Sequence, residues 1–184
     1  MYRRIAALNA AAVSVLALTF SGPARATAVT AAACPTGWGS TAKHAGTLSR
    51  APLTAAVTGR HACFDRIVYT FRGRARGYDV RYARNVYSDG EGARLHINGG
   101  AKIAVSLFAP SYDINYRPTY NHRVNSKVAN VRGYRTLRDL VYGGSFEGYS
   151  TFGIGTRARL PFRVWAVDGP GSSSRIVIDI KHVW

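Results

Sequence analysis

Hydrophobic and polar residues alternate over several short stretches of this chain, which is the pattern of half-buried β-strands. Within residues 66–72, the side chains of Ile67, Tyr69 and Phe71 fall on one face. The same alternation predicts strands over residues 78–82, 102–108, 162–167 and 175–180. Further strands are predicted over residues 95–98 and 148–157.

Helical periodicity is weak along the whole chain. The best helical candidate covers residues 136–142, about two turns. Asp-Gly at 89–90, Asn-Gly-Gly at 98–100 and Asp-Gly-Pro-Gly at 168–171 are turn signals between strands. These patterns predict an all-β protein, an antiparallel β-sandwich of two small sheets with at most one or two short helices.

The N-terminal residues have the order of a secretory signal peptide. A basic start with Arg3 and Arg4 precedes an apolar run to Phe20 and a small-residue site ending at Ala26. We predict a signal peptide over residues 1–26, and the arginine pair leaves Sec or twin-arginine export open. Residues 27–53 are predicted to form a flexible arm that Trp38 would dock, and residues 54–184 the β domain. The apolar run is short for a bilayer span of about 20 residues, so no transmembrane segment is expected in the mature protein.

The two cysteines, Cys34 and Cys63, have a simple interpretation in an exported protein, because an isolated pair in an oxidising compartment forms a disulfide. Closing a loop of this length contributes about 3 kcal/mol of stability. The alternative is a lipid-modified Cys34. We disfavour it because the cysteine lies well beyond the apolar run and because Cys63 would be left unpaired.

Positive charge dominates the composition, with 25 basic and nine acidic residues and a net charge of +16. Three of the arginines belong to the predicted signal peptide, so 22 basic residues remain after cleavage. Such an excess attracts polyanions over long range. For a secreted or wall-associated protein these are wall teichoic acids, lipid headgroups and acidic glycans, and intracellular nucleic acid is not an expected partner.

No catalytic signature is present in the sequence. The five histidines do not stand at metal-ligand spacing with one another, and there is no Gly-x-Ser-x-Gly sequence for a nucleophilic serine. We therefore expect no metal, no cofactor and no enzymatic activity. The alternative is a secreted hydrolase in which Glu147 or Asp113 works with a neighbouring tyrosine or histidine.

Candidate binding residues fall into two groups, because arginine can engage phosphate with two hydrogen bonds and tyrosine rings offer stacking faces. The first group is Arg72, Arg74, Arg76, Tyr78, Arg81 and Tyr82. The second lies in a long aperiodic stretch, residues 110–135, and consists of Tyr112, Tyr116 and Tyr120 beside several asparagines. Glu147 completes the set of predicted ligand-binding residues.

Three stretches resemble the AMIN-like domain proteins that actinobacteria secrete. They are GRHACFDRIV at 59–68, GGSFEG at 143–148, and RLPFRV at 159–164 with SRIVID at 174–179. The resemblance implies a β-sandwich related to the AMIN domain of cell-wall amidases, which binds peptidoglycan or places a partner in the envelope, and it carries over no catalytic residue. The leading hypothesis is a non-enzymatic envelope module that binds peptidoglycan or an anionic wall polymer. A protein–protein adaptor is the third hypothesis, and a solvent-exposed strand edge at residues 176–180 would favour it.

Overall fold

The computed structural model describes residues 33–184. The predicted signal peptide and the first residues of the predicted arm lie outside the described residues. Residues 34–184 form a compact unit.

Nine strands make up this unit, and the described residues contain no helix. The strands are β1 (Lys43–Ala45), β2 (Leu53–Arg60), β3 (Phe64–Phe71), β4 (Tyr78–Ala83), β5 (Ala101–Leu107), β6 (Leu137–Phe146), β7 (Tyr149–Thr156), β8 (Phe162–Asp168) and β9 (Ser174–Lys181). The all-β prediction is confirmed.

The strands form two antiparallel sheets, consistent with a β-sandwich. The five-stranded sheet has the order β1-β4-β5-β7-β6, and the four-stranded sheet has the order β2-β3-β9-β8. β9 pairs with β3 on one side and with β8 on the other. Residues 176–180 are therefore paired on both sides. The solvent-exposed strand edge that would favour an adaptor is not found there.

The core lies between the two sheets and is built from the stripes that alternation predicts. β3 contributes Ile67, Tyr69 and Phe71, all fully buried, and β9 contributes three buried isoleucines. The rings of Tyr69 and Phe152 lie 4.8 Å apart, which joins the four-stranded sheet to β7 of the five-stranded sheet. Burial of these apolar side chains is the main stabilising term of the fold.

The helix predicted over residues 136–142 is wrong, since this stretch lies in strand β6, which pairs with β7. Leu140 and Tyr142 belong to the main core, whereas Val141 packs into a second cluster on the other face of the sheet. A strand that is buried on both faces shows no alternation. Two isolated helical turns would also be marginal in water.

The strand predicted over residues 95–98 is wrong as well. Leu95 and Ile97 are buried and pack against the outer face of the five-stranded sheet, so the alternation is real. The backbone amides of His96 and Asn98 donate instead to the side chains of Asn125 and Asp139, at 2.7 and 3.1 Å. The segment therefore crosses the sheet without pairing as a strand.

Glycines on β7 make this close crossing possible. A Cβ atom on Gly153 would lie 2.2 Å from Ile97 Cδ1, and one on Gly155 would lie 1.7 Å from the Asn98 carbonyl oxygen. Both distances are shorter than real Cβ contacts. Close approach of another segment is a common reason for glycine within a strand.

Part of the predicted arm belongs to the sandwich. β1 pairs with β4 at the edge of the five-stranded sheet, and the Trp38 ring lies 5.6 Å from the Phe64 ring. Cys34 and Cys63 form a disulfide with a Cα–Cα distance of 5.5 Å, which confirms the predicted pairing. The domain boundary at residue 54 stays a prediction.

Candidate functional site

The tyrosines of the first predicted group lie on β4 and face the four-stranded sheet. Tyr78 is buried, and its hydroxyl donates to the Val164 carbonyl at 3.1 Å. The half-buried Tyr82 hydroxyl donates to the Leu160 carbonyl and accepts from the Leu160 amide, both at 2.8 Å. Burial raises the pKa of both phenols. The expectation that Tyr78 offers an exposed stacking face is wrong, because it alternates inward on its strand.

The arginines of the same group divide into paired and unpaired side chains. Arg76 forms an ion pair with Asp168 at 2.7 Å, and Arg81 forms one with Asp79. Arg72 and Arg74 are exposed, and no carboxylate of residues 33–184 lies within 4.0 Å of either guanidinium. The first group is therefore not a joint arginine–tyrosine surface.

Tyr120 of the second group is a core residue, with 6% of its surface exposed. Its ring lies 5.2 Å from Tyr142 and 5.7 Å from Phe152, and the imidazole of His122 stacks on it from the surface side. Burial raises the pKa of the Tyr120 phenol well above its ordinary value. The expectation of an exposed Tyr120 is wrong, because its ring packs into the core cluster against Tyr142 and Phe152.

Tyr112 and Tyr116 lie together in a groove of about 530 Å³, within the range of small-ligand sites. We call this the tyrosine groove, and it is lined by Leu48, Ser49, Arg50, Pro110, Tyr112, Asp113, Ile114, Tyr116 and Gly148. The two tyrosine rings are nearly parallel, with centroids 5.6 Å apart. The structure therefore brings the predicted tyrosines together with the start of the domain and the β6–β7 hairpin.

A tight turn positions the tyrosines of this groove. The Asp113 carboxylate accepts hydrogen bonds from the backbone amides of Asn115 and Arg117, at 2.9 and 3.0 Å. Such an Asx turn is why aspartate suits this position. Tyr116 has a φ of 58° and is 81% exposed. This left-handed conformation is unfavourable for a bulky residue, and such strain concentrates at functional sites.

Glu147 lies in the β6–β7 hairpin turn, beside the same groove. It is exposed and has a φ of 49°. The next residue, Gly148, lines the groove, and its amide donates to the Tyr112 hydroxyl at 3.0 Å. Two of the three non-glycine residues with positive φ among residues 33–184 therefore border one groove.

Apolar side chains are exposed around the tyrosine groove. Leu48, Ile114 and Tyr116 line it, and Phe146 and Tyr149 stand on the adjoining hairpin. Ile114 is 90% exposed. Because exposed apolar side chains gathered in one place are typical of interaction surfaces, the groove is the candidate site of this domain.

Two carboxyl–histidine pairs exist in the described part: an exposed one, in which His44 Nδ1 lies 3.5 Å from Asp79 Oδ2, and a buried one. The His182 Nε2 atom lies 3.1 Å from Asp65 Oδ1, with 5% and 1% of the side chains exposed. The second Asp65 oxygen accepts from the amides of Thr136 and Leu137, at 2.6 and 3.0 Å. The buried pair ties the last strand to the start of β6 and is closed to solvent. Among residues 33–184 no group of three potential metal ligands comes together.

A cluster that the sequence analysis missed covers the outer face of the four-stranded sheet. We call it the arginine ladder, and it consists of Trp38, Phe64, Arg66, Arg163, Trp165 and Asp179. The Arg163 guanidinium lies 4.3 Å from the Trp38 ring centroid and 4.5 Å from that of Trp165. Stacking of this kind stabilises a half-buried cation.

The ladder is held together by one buried carboxylate. Asp179 is fully buried, and it accepts from Arg66 at 2.7 and 2.9 Å and from Arg163 at 2.8 and 3.0 Å. The hydrogen bond to Asp179 raises the pKa of Arg66. Every charge in the ladder is thus neutralised or stacked, which indicates a structural role.

The fold defines a small β-sandwich domain, and comparison with known proteins identifies its family. The profile of the AMIN-like domain matches residues 51–182, which is more than half of the chain. The chain therefore belongs to the AMIN-like domain family, a module linked to cell-wall amidases. No curated protein matches the chain. The domain and the disulfide together indicate a cell-envelope protein, and no helix within residues 33–184 is long and apolar enough to cross a membrane.

Proposed function

We propose that this chain is a secreted, non-enzymatic module of the cell envelope that binds peptidoglycan or an anionic wall polymer. For peptidoglycan, the tyrosine groove is the surface that takes the glycan. The family gives the cell-wall context, and the groove gives a place of suitable size. The net positive charge adds long-range attraction toward an anionic wall.

The conformation of Tyr116 is the observation that carries this proposal. A tyrosine ring that is 81% exposed contributes little to the folded state, yet its backbone is strained. Glycine would relieve the strain, so a tyrosine here serves the ring's contact with something outside the domain. An aromatic face can pack on the C–H face of a sugar ring while the hydroxyl stays in water.

The engagement of Asp113 and of the Asp65–His182 pair supports a non-enzymatic role. One Asp113 oxygen already accepts two backbone hydrogen bonds, and Asp65 and His182 are closed to solvent. A general acid or base must reach the proton that it transfers. These groups are better explained as parts of the fold than as catalytic groups.

Sedimentation of the mature protein with purified sacculi at several salt concentrations tests the proposal. We expect pelleting at low salt and a fraction that persists at high salt, because contacts to the glycan are screened less than surface charge. Absence of pelleting at low salt would refute the proposal. Complete loss of pelleting at high salt would refute glycan recognition and would mean that binding is purely electrostatic.

Replacing Tyr116 with glycine separates binding from folding. We expect Tyr116→Gly to raise the free energy of unfolding by about 1 kcal/mol, since the strain is removed. We also expect it to weaken sacculus binding by about tenfold, because the stacking ring is lost. Tyr87→Ala is the matched control, since Tyr87 is exposed and lies outside the groove. Equal binding by both variants would contradict the role of Tyr116.

A further inference from the structure

A second groove lies along the loop that leads into β6, and its charge differs from that of the tyrosine groove. It has a volume of about 660 Å³ and is lined by residues 127–134 and 137–139, and we call it the basic groove. The surrounding stretch, residues 117–138, contains six arginines and lysines and no aspartate or glutamate. The charge that this stretch contributes to the surface is therefore entirely positive.

Ion pairs inside the domain leave most of this charge free. Among the described residues, no carboxylate lies within 4.0 Å of Arg117, Arg123, Arg132 or Arg135. One carboxylate lines the groove, that of Asp139, and Lys127 Nζ lies 3.8 Å from it. Asp139 is 1% exposed and accepts from the Asn98 amide at 3.1 Å. It therefore offsets about one charge in a groove that Lys127, Arg132 and Arg138 line.

Hydrogen bonds within the loop fix the shape of the basic groove. Arg138 donates to the carbonyls of Tyr134 and Leu137, at 3.1 and 2.9 Å. The Tyr134 hydroxyl donates to Thr58 on β2 at 2.8 Å, which ties the loop to the four-stranded sheet. The Arg132 amide donates to the Asn130 side chain at 3.0 Å. A loop that is already ordered loses little entropy on binding a ligand.

A neighbouring strand adds a further cation beside the groove. The Arg60 guanidinium at the end of β2 lies 5.9 Å from the Tyr134 ring centroid. One of its nitrogens would be 3.7 Å from a Cβ atom on Gly133, so it borders the groove wall. Cations from β2 and from the loop therefore flank the same groove, and Arg117 and Arg123 continue the charge along the chain.

We propose that the basic groove binds the phosphate groups of a phosphodiester-linked polymer, such as a chain of glycerol phosphate units. Arginine matches phosphate oxygens with paired hydrogen bonds, and several cations beside one groove, here Lys127, Arg132, Arg138 and Arg60, suit a repeating anion better than one ion. The inference rests on the proposed location of the protein in the envelope. It does not require the tyrosine groove to bind glycan.

Titration of the mature protein with poly(glycerol phosphate) at several salt concentrations tests the inference. The variant is K127Q/R132Q, which removes two groove charges. The matched control is R72Q/R74Q, which removes two exposed and unpaired arginines elsewhere. We expect the groove variant to weaken binding by about tenfold and to flatten the dependence of affinity on salt, with the control losing less than about threefold. Circular dichroism should show both variants folded, since all four side chains are exposed. The thermal midpoint of the control should match wild type, and that of the groove variant should fall only by the loss of the Lys127–Asp139 ion pair.

Three outcomes would overturn this inference. One is absence of binding to poly(glycerol phosphate) at low salt, and another is an equal loss in the two variants, which would mean attraction by total charge. The third is equally tight binding of inorganic phosphate, which would mean a site for the free ion. Sacculi stripped of phosphate polymers separate the two proposals, since binding to them depends on the tyrosine groove alone.

Discussion

Arg163 and Arg132 lie on two surfaces of one sandwich, and their guanidinium groups have opposite environments. Arg163 in the arginine ladder stacks between two tryptophan rings and shares a buried carboxylate with Arg66. Arg132 lines the basic groove, and no described carboxylate lies within 4.0 Å of it. The first surface has satisfied its polar groups internally, and the second has not.

This difference teaches that net charge does not locate a binding surface. A cation that is already stacked and paired gains little free energy from binding a ligand, because the ligand would first have to break the existing contacts. A cation without a partner loses only water when an anion arrives. Under the proposed function, we expect the loop between β5 and β6 to carry the wall-binding surface and the ladder to act on stability.

The largest expected effect is on the ladder. Asp179→Ala should lower the free energy of unfolding by about 3 kcal/mol, because two half-buried guanidiniums lose their shared carboxylate and repel each other. Urea unfolding followed by tryptophan fluorescence measures it. Asp168→Ala is the control, since its ion pair with Arg76 is exposed and should contribute less than about 1 kcal/mol. Similar losses in the two variants would contradict the structural role of the ladder.

A smaller loss is expected at the outer end of the ladder. Trp38→Ala should cost roughly 2 kcal/mol, since the ring contacts Arg163 and Phe64 and covers the sheet next to the disulfide. Thermal unfolding at a fixed pH gives the value. Trp184→Ala serves for comparison, because that ring is 70% exposed. If Trp38→Ala unfolds like wild type, the contacts of the Trp38 ring with Arg163 and Phe64 do not stabilise the sandwich.

The smallest effect concerns a carboxylate that lacks an arginine. Asp89 accepts from Thr151 at 2.9 Å through one oxygen, while its other oxygen is buried with no hydrogen-bond partner among the described residues. Burial raises its pKa in the folded state, so the folded protein binds this proton more tightly than the unfolded chain. The cost of its charge is present at neutral pH and disappears as the pH falls through the folded-state pKa.

Asp89→Asn should therefore be more stable than wild type at pH 7, and the advantage should shrink as the pH is lowered toward 4. Urea midpoints of the two proteins, measured side by side at each pH, give the difference. An advantage that grows on acidification would contradict this sign. Asp179→Asn should behave in the opposite way at pH 7 and lose stability, since its carboxylate is paired with two arginines.

The fold could be predicted from sequence where one face of a strand is buried. The stripes of β3 and β9 alternate in the chain, so the sandwich followed from them. β6 is buried on both faces and carries no such signal. Residues 95–98 do alternate, but strand pairing depends on where their amides donate, and those of His96 and Asn98 donate to the side chains of Asn125 in a loop and Asp139 on β6. That information is absent from a local pattern.

The sites were predicted less well, for a related reason. Arg66, Asp179 and Arg163 are direct cross-strand neighbours, and this register becomes visible only when β3, β9 and β8 pair. Residue type alone also could not separate Tyr120, which the loop folds inward, from Tyr116, which the turn at Asp113 directs outward. The cations of residues 117–138 can be counted in the sequence. Only the structure shows that most of them have no carboxylate partner among the described residues.

Binding of Trp38→Ala and Tyr116→Gly to sacculi stripped of phosphate polymers, measured in parallel at a temperature where both are folded, tests the division between the structural ladder and the tyrosine groove most directly. We predict that Trp38→Ala binds like wild type despite its lower stability, whereas Tyr116→Gly loses most of its binding despite its higher stability. Loss of binding in Trp38→Ala with full binding in Tyr116→Gly would place the recognition surface on the ladder and contradict the account.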